Sequence, residues 1–214
     1  MNTSIKNAER LIKALKGLYP DAKIELKYGS PVQLLVAVIL SAQCTDKRVN
    51  IVTESLFKKY KTAEEFAGAE PETFEKEIHS TGFYKNKTKN IIGATKMIVD
   101  EFKGKVPDNM NDLLKLPGVA RKTANVVLWT VYGKNEGVTV DTHVMRLAQA
   151  YGLTKEKTPE KIEKDLMKLI PQKDWGWFSL ALVLVGRYIS SARKPATLEE
   201  LEELAGKAIS KKTK

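Results

Sequence analysis

Residues 113–128 read LLKLPGVARKTANVVL: leucines stop at Pro117-Gly118, and a second apolar run opens on Arg121 and Lys122. The pattern predicts two helices joined by a tight turn, the second starting at about Arg121. A helix start leaves four backbone N–H groups unpaired and carries the positive end of the macrodipole, which makes it a site for an anion. Lys122 lies in that first turn. The adjacent cation and the positive helix end both disfavour its ammonium form, so its pKa is expected to fall, and a neutral amine there can act as a nucleophile. A second stretch, VDTHVMRLAQAYG, places Asp141 before a helix whose apolar stripe includes Val144, Leu147 and Ala148. Asp is a favoured N-cap. A carboxylate in that position can also balance a developing cation, and the two roles are compatible. The alternative readings of these residues are a plain αα-corner, a solvated lysine and a cap with no further role.

The elements that must position them are helical. Ser30-Pro31 is an N-cap followed by proline at the first helical position, and it opens PVQLLVAVILSAQ, apolar on nearly every face and therefore enclosed by other helices. Thr62 and Glu65 form a capping box, and Thr158-Pro159-Glu160 begins a helix striped by Ile162, Leu166 and Ile170. Period-two alternation is scarce. The expected fold class is all-α, about ten short helices in two lobes, with a break at VYGKNEGVTVD where the chain crosses from one lobe to the other. The tail, SKKTK, reads as a basic end.

Composition narrows the partner. Thirty-six Lys and Arg against 26 Asp and Glu give a net charge of +10, a surplus that points to a polyanion. On such a protein a helix–hairpin–helix start is expected to hold a nucleic-acid phosphate, which fixes position on a duplex without reading its sequence. The single cysteine, Cys44, excludes an intrachain disulfide and a Cys-rich metal or iron–sulfur site. The amino terminus reads as an amphipathic helix interrupted by Lys and Arg rather than a signal peptide, and the longest apolar run, Val32 to Ala42, is far short of the roughly 20 residues that span a bilayer. The expected setting is the cytoplasm, at the nucleoid, with no membrane partner.

LPGVARKTANVVL, together with VDTHVMR and the earlier LLVAVILSAQCTD, resembles the endonuclease III family of helix–hairpin–helix DNA glycosylases, from about residue 5 to Pro195. The resemblance implies a bifunctional enzyme that removes oxidised pyrimidines from duplex DNA and then cuts the strand at the abasic site. Lys122 matches the family's Schiff-base lysine and Asp141 its catalytic aspartate. Gly118, Ala120, Arg121 and Thr123 fall in the phosphate-binding hairpin. Gln43 and Phe83 match the residues that fill the stack when a nucleotide is flipped out, and Phe can wedge between bases. Gly82 and the lysines at 85, 87 and 89 suggest that STGFYKNKTKNI is an exposed loop over phosphates, with Lys85 and Lys87 among the DNA contacts. Ser41, Asp46 and His143 match pocket positions; for His143 a purely structural role is the alternative.

The chain departs from the family pattern in two places. Ala120 stands where the hairpin commonly has glycine, which would strain a positive φ by about 1 kcal/mol. Many relatives follow GRY with four cysteines that ligate a [4Fe–4S] cluster; here the text is GRYISSARKPATLEELEELAGKAI, and Ser190, Thr197, Glu200 and Gly206 stand at the matching positions. No metal and no cofactor is therefore expected. Thr197 and Glu200 form a capping box, and Leu198, Leu201, Ala205 and Ala208 give a helical face, so a packed helix is expected in place of the cluster loop. The expected architecture is one lobe over 25–134 that includes the hairpin, a second over 1–24 plus 135–214, and a DNA-binding cleft between them lined by Lys122 and Asp141. WGWFSLALVLVGRYI is expected to be core of the second lobe rather than a stacking platform. The expected state is a monomer on double-stranded DNA that carries damaged bases or abasic sites. Two rivals are an adenine–DNA or mismatch glycosylase of the same superfamily and a non-catalytic DNA-binding module. The run from Val32 to Leu40 has no carboxylate for the first, and phosphate binding alone needs neither Lys122 nor Asp141.

Overall fold

A computed structural model describes residues 3–212; Thr213 and Lys214 of the basic tail, like Met1 and Asn2, lie outside the described residues. Twelve α-helices and two 3-10 turns account for the order among those residues, and they show no strand. None of their helices is long and apolar enough to cross a membrane. The helices are not uniformly short, since the longest runs from Tyr84 to Phe102. The chain divides into two units, one over Glu25–Lys134 and the other formed by the residues up to Ile24 together with those from Asn135 onward.

The 25–134 unit contains α2 (Pro31–Leu40), α3 (Asp46–Lys59), α4 (Ala63–Ala67), α5 (Pro71–Ile78), a 3-10 turn (His79–Thr81), α6 (Tyr84–Phe102), α7 (Met110–Leu113) and α8 (Arg121–Tyr132). Eight of the ten residues of α2 are buried, so it runs through the core as its all-round apolarity requires. Its start is set by Ser30, whose side chain accepts from the Gln33 N–H. Gln33 is itself buried, and its amide donates to the carbonyls of Phe57 and Tyr60 where α3 ends. The Thr62–Glu65 capping box starts α4 with both of its reciprocal bonds in place. Beneath it Phe66 stacks on Tyr60 at 5.2 Å between ring centroids and meets Phe74 edge-on. Offset and edge-to-face pairs of this kind add to simple apolar burial.

The other unit holds α1 (Thr3–Leu18), α9 (Thr142–Ala150), α10 (Pro159–Leu169), a 3-10 turn (Gln172–Asp174), α11 (Trp175–Tyr188) and α12 (Leu198–Lys212). Its core draws Leu11 and Leu15 from α1, Val144 and Leu147 from α9, Ile162 and Leu166 from α10, and Phe178 and Leu182 from α11. Trp175 is buried there and its indole donates to the Ile170 carbonyl, while the Trp177 indole donates to the Tyr19 carbonyl. These rings are fixed structural members, with their polar edges satisfied, and not a platform for bases. Asn135 marks the entry to this unit: its side chain accepts from the Gly176 N–H and donates to the Lys173 carbonyl.

Helix α12 completes this unit. Leu198, Leu201 and Ala205 are buried, and α12 approaches α1 so closely that a Cβ on Gly17 would lie 2.8 Å from the Ala205 Cβ. At the same seam Arg10 pairs with Glu199 at 2.8 Å and Glu202 at 2.6 Å, which holds both carboxyls below their usual range. Thr197 and Glu200 cap the helix reciprocally, at 2.8 and 3.2 Å.

Candidate active site

The Pro117-Gly118 turn is built from below by α6. Gly118 has φ +75, and a Cβ on it would come within 2.7 Å of the Asn90 Cβ, so both the backbone conformation and the space require glycine. Leu116 and Val119 are buried on either side and pin the turn to the unit's core. Ala120 then takes φ −89 and ψ 168, an extended conformation open to any residue. The strain anticipated at Ala120 does not arise, because the turn's one left-handed residue is Gly118. What Ala120 does change is the cap. As N-cap of α8 it has no side-chain acceptor to offer, whereas Ser30, Thr45, Thr62, Glu70, Asn109 and Asp141 each satisfy an N–H at the start of their own helices. The first turn of α8 thus combines uncapped backbone donors with the cations of Arg121 and Lys122, an arrangement suited to a phosphate oxygen. Arg121 and Lys122 are both exposed and Thr123 is half-buried.

Asp141 belongs to the other unit. It is the N-cap of α9, and its Oδ1 accepts from the Val144 N–H at 2.8 Å. Val140 and Val144 are buried on either side, so the half-buried carboxylate is held by a rigid helix start. His143 follows in the first turn of α9. A Cβ on Gly186 would lie 2.7 Å from both the Cβ and the Nδ1 of His143, so α11 approaches this side chain so closely that only a glycine fits. That packing gives His143 a structural role.

The link from α2 to α3 carries three of the anticipated residues. Ser41 caps the end of α2, and its hydroxyl donates back to the Val38 carbonyl at 2.8 Å. Asp46 is the first residue of α3, where the helix dipole favours an acid. Between them Gln43 is exposed and has φ 53, in the left-handed region. Phe83 repeats the theme. It has φ 48 just before α6, follows Gly82 at φ 72, and leaves 61% of its surface exposed. Such exposure shows that the ring is not part of the unit's core. Gln43, Phe83 and Lys103 are the non-glycine residues with positive φ among those described. A left-handed conformation costs a bulky residue about 1–3 kcal/mol, and such strain gathers where function needs a side chain aimed outward.

Lys87 is not a DNA contact. Its side chain is only 4% exposed, and its ammonium donates to the Leu40 carbonyl at 2.7 Å and the Thr81 carbonyl at 2.8 Å. The residues around it form a helix from Tyr84 onward, not a loop. At about 100° per residue Lys85 and Lys89 share one face and Lys87 lies on the opposite one. Lys85 and Lys89 are exposed accordingly. The signal for burial was present in the spacing, since Lys87, Ile91, Ala94 and Ile98 are all buried and follow a helical stripe. Asn90, which fills the space under Gly118, was likewise missed; no local pattern announces it.

The carboxyl-terminal segment does not fit an iron–sulfur cluster. Ser190 is fully buried, and its hydroxyl accepts from the Ala196 N–H at 2.9 Å while its carbonyl accepts from Arg146. Thr197 and Glu200 are occupied with capping, and Gly206 is exposed. Among the described residues no group of three or more His, Cys, Asp or Glu is placed to hold a metal. Cys44 lies in the 25–134 unit.

Comparison with known proteins resolves the family. Residues 36–172 match the HhH-GPD superfamily of base excision DNA repair proteins. Endonuclease III of Synechocystis sp. is 56% identical over 195 residues, which cover 91% of this chain and 89% of that one. The chain belongs to the endonuclease III family. In three dimensions it is similar to the protein in a non-covalent endonuclease III–DNA complex, with a TM-score of 0.87, 38% identity, and coverage of 98% of this chain and 99% of the other. It is also similar to the protein of a trapped endonuclease III–DNA covalent intermediate, at TM-score 0.85, 40% identity and 91% coverage of each.

Proposed function

We propose that this endonuclease III family member excises oxidised pyrimidines from duplex DNA through Lys122 and Asp141. It is a DNA glycosylase and abasic-site lyase of base excision repair. The observation that carries the residue assignment is Lys122 exposed in the first turn of α8, directly behind a hairpin whose N-cap supplies no side-chain acceptor. The hairpin and its cations bind phosphates. A nucleotide is then swung out of the stack, at a cost of a few kcal/mol that is least for damaged or poorly stacked bases. Gln43 and Phe83 fill the gap left behind.

The neutral Lys122 amine attacks C1′, and the N–C1′ bond forms as the bond from C1′ to the base breaks. The base leaves with the bonding pair and takes up a proton. Asp141 offsets the positive charge that gathers on the sugar during this step. The C1′–O4′ bond of the sugar then breaks, the nitrogen lone pair forming the C=N bond while the ring oxygen keeps the bonding pair and takes up a proton from solvent. The protonated Schiff base that results makes the C2′ proton acidic. Loss of that proton expels the 3′ phosphate by β-elimination, and hydrolysis returns the free lysine. None of these steps involves a metal, and the chain is proposed to work without an iron–sulfur cluster, as a monomer on DNA. An adenine-specific reading is disfavoured by the absence of a carboxylate from Val32 to Leu40.

The test is a panel of duplexes, each with one defined lesion. An oxidised pyrimidine should be nicked to leave an unsaturated aldehyde at the 3′ terminus of the fragment on the 5′ side of the break and a 5′ phosphate on the other fragment, and binding should weaken steeply as salt rises. A free base with an uncut strand, or release of adenine alone, would contradict the proposal.

A further inference from the structure

Lys87 is the only buried lysine among the described residues, and no phosphate can reach it. Its two acceptors are not arbitrary. The Leu40 carbonyl ends α2, and three residues later the chain enters the left-handed region at Gln43. The Thr81 carbonyl ends the 3-10 turn, and two residues later the chain does the same at Phe83. One ammonium therefore joins the roots of both strained turns, and each turn carries an exposed side chain. Carbonyls at helix ends carry partial negative charge and so suit a cation. Burial pushes the Lys87 amine below the usual lysine range, as expected when carbonyls rather than carboxylates receive the charge.

We propose that Lys87 is a positioning residue, whose buried ammonium ties the Gln43 turn to the Phe83 turn so that the two side chains enter the DNA stack as one unit. An apolar side chain at 87 would leave two carbonyls without a donor, and a glutamine amide is one atom too short to take the ammonium's place between them, so either frees the turns to move independently. A third turn shares the same helix: α6 carries Lys87 at its start and Asn90, three residues on, beneath Gly118 of the hairpin. This inference rests on the reading of Gln43 and Phe83 as the gap-filling pair.

The test uses the full chain with Lys87→Met and Lys87→Gln, and two substrates. One is a duplex with a single oxidised pyrimidine, in which a gap must be filled; the other is a single-stranded oligonucleotide with a preformed abasic site, in which no partner strand leaves a gap. If the unaltered protein acts on neither substrate, the proposed function itself fails, and the variants are not at issue. Otherwise nicking of the duplex should fall by about tenfold or more in both variants, while borohydride trapping on the single strand stays within about threefold. Lys87→Met added to Phe83→Gly should lower duplex nicking by less than about twofold further, since residues that act through one another are not additive. Equal losses on both substrates, an undiminished duplex reaction, fully multiplicative effects with Phe83→Gly, or loss of the folded state in both variants would each overturn the positioning role.

Discussion

The starts of α6 and α12 meet the same physical problem in opposite ways. At α12 every local rule is obeyed: Thr197 and Glu200 cap each other's backbone, Leu198 and Leu201 turn inward, and Arg10 pairs with Glu199 and Glu202. At α6 the rules are broken. Phe83 stands in the left-handed region, its ring faces solvent, and it offers no cap. A helix that obeys all its local preferences explains itself by stability. One that violates them needs another reason, and at Phe83 the reason we propose is the insertion of a ring into DNA. The start of α9 lies between these cases, because Asp141 obeys the capping rule with one oxygen while the charge of its carboxylate is available for chemistry.

This contrast predicts that stability and activity can be separated by substitution. The largest effect is expected at α12, where Leu201 is fully buried. Leu201→Ala should destabilise the protein by about 2–5 kcal/mol. In a thermal melt the transition should fall by many degrees, with nicking per folded molecule unchanged at low temperature. Loss of activity in the still-folded variant would remove the contrast. At α9, Asp141→Asn keeps a good N-cap but removes the charge. The melt should stay in place while base release slows by on the order of 10²-fold, the scale of one lost electrostatic stabiliser. A variant equally impaired in both would make Asp141 a cap only. The smallest effect is expected at α6, where Phe83→Gly relieves the left-handed strain. Its melting temperature should be unchanged or raised while nicking falls by roughly tenfold; a destabilised variant with full activity would reverse the assignment.

Much of this was legible in the amino-acid sequence for a physical reason. Caps and stripes are local, so Ser30, the Thr62–Glu65 box and the row of Ile162, Leu166 and Ile170 announced their helices, and the structure buries or bonds each as expected. The Pro117-Gly118 turn was equally plain, yet which residue in it must be left-handed was not, because that depends on Asn90 packed from below. Lys87 was misread because a lysine at every second position resembles a comb over phosphates. Only once α6 is known to begin at Tyr84 does the same spacing send Lys87 inward with Ile91. The left-handed conformations of Gln43 and Phe83 had no signal of their own, since neither residue type favours them.

The central claim is that the Lys122 amine bonds to the sugar. It is tested most directly by reducing a mixture of the protein and an abasic-site duplex with borohydride, digesting the adduct, and locating the modified residue by mass spectrometry. The account predicts one deoxyribose-derived adduct, on Lys122, and none with Lys122→Ala. An adduct on another residue, or an undiminished adduct in that variant, would contradict it.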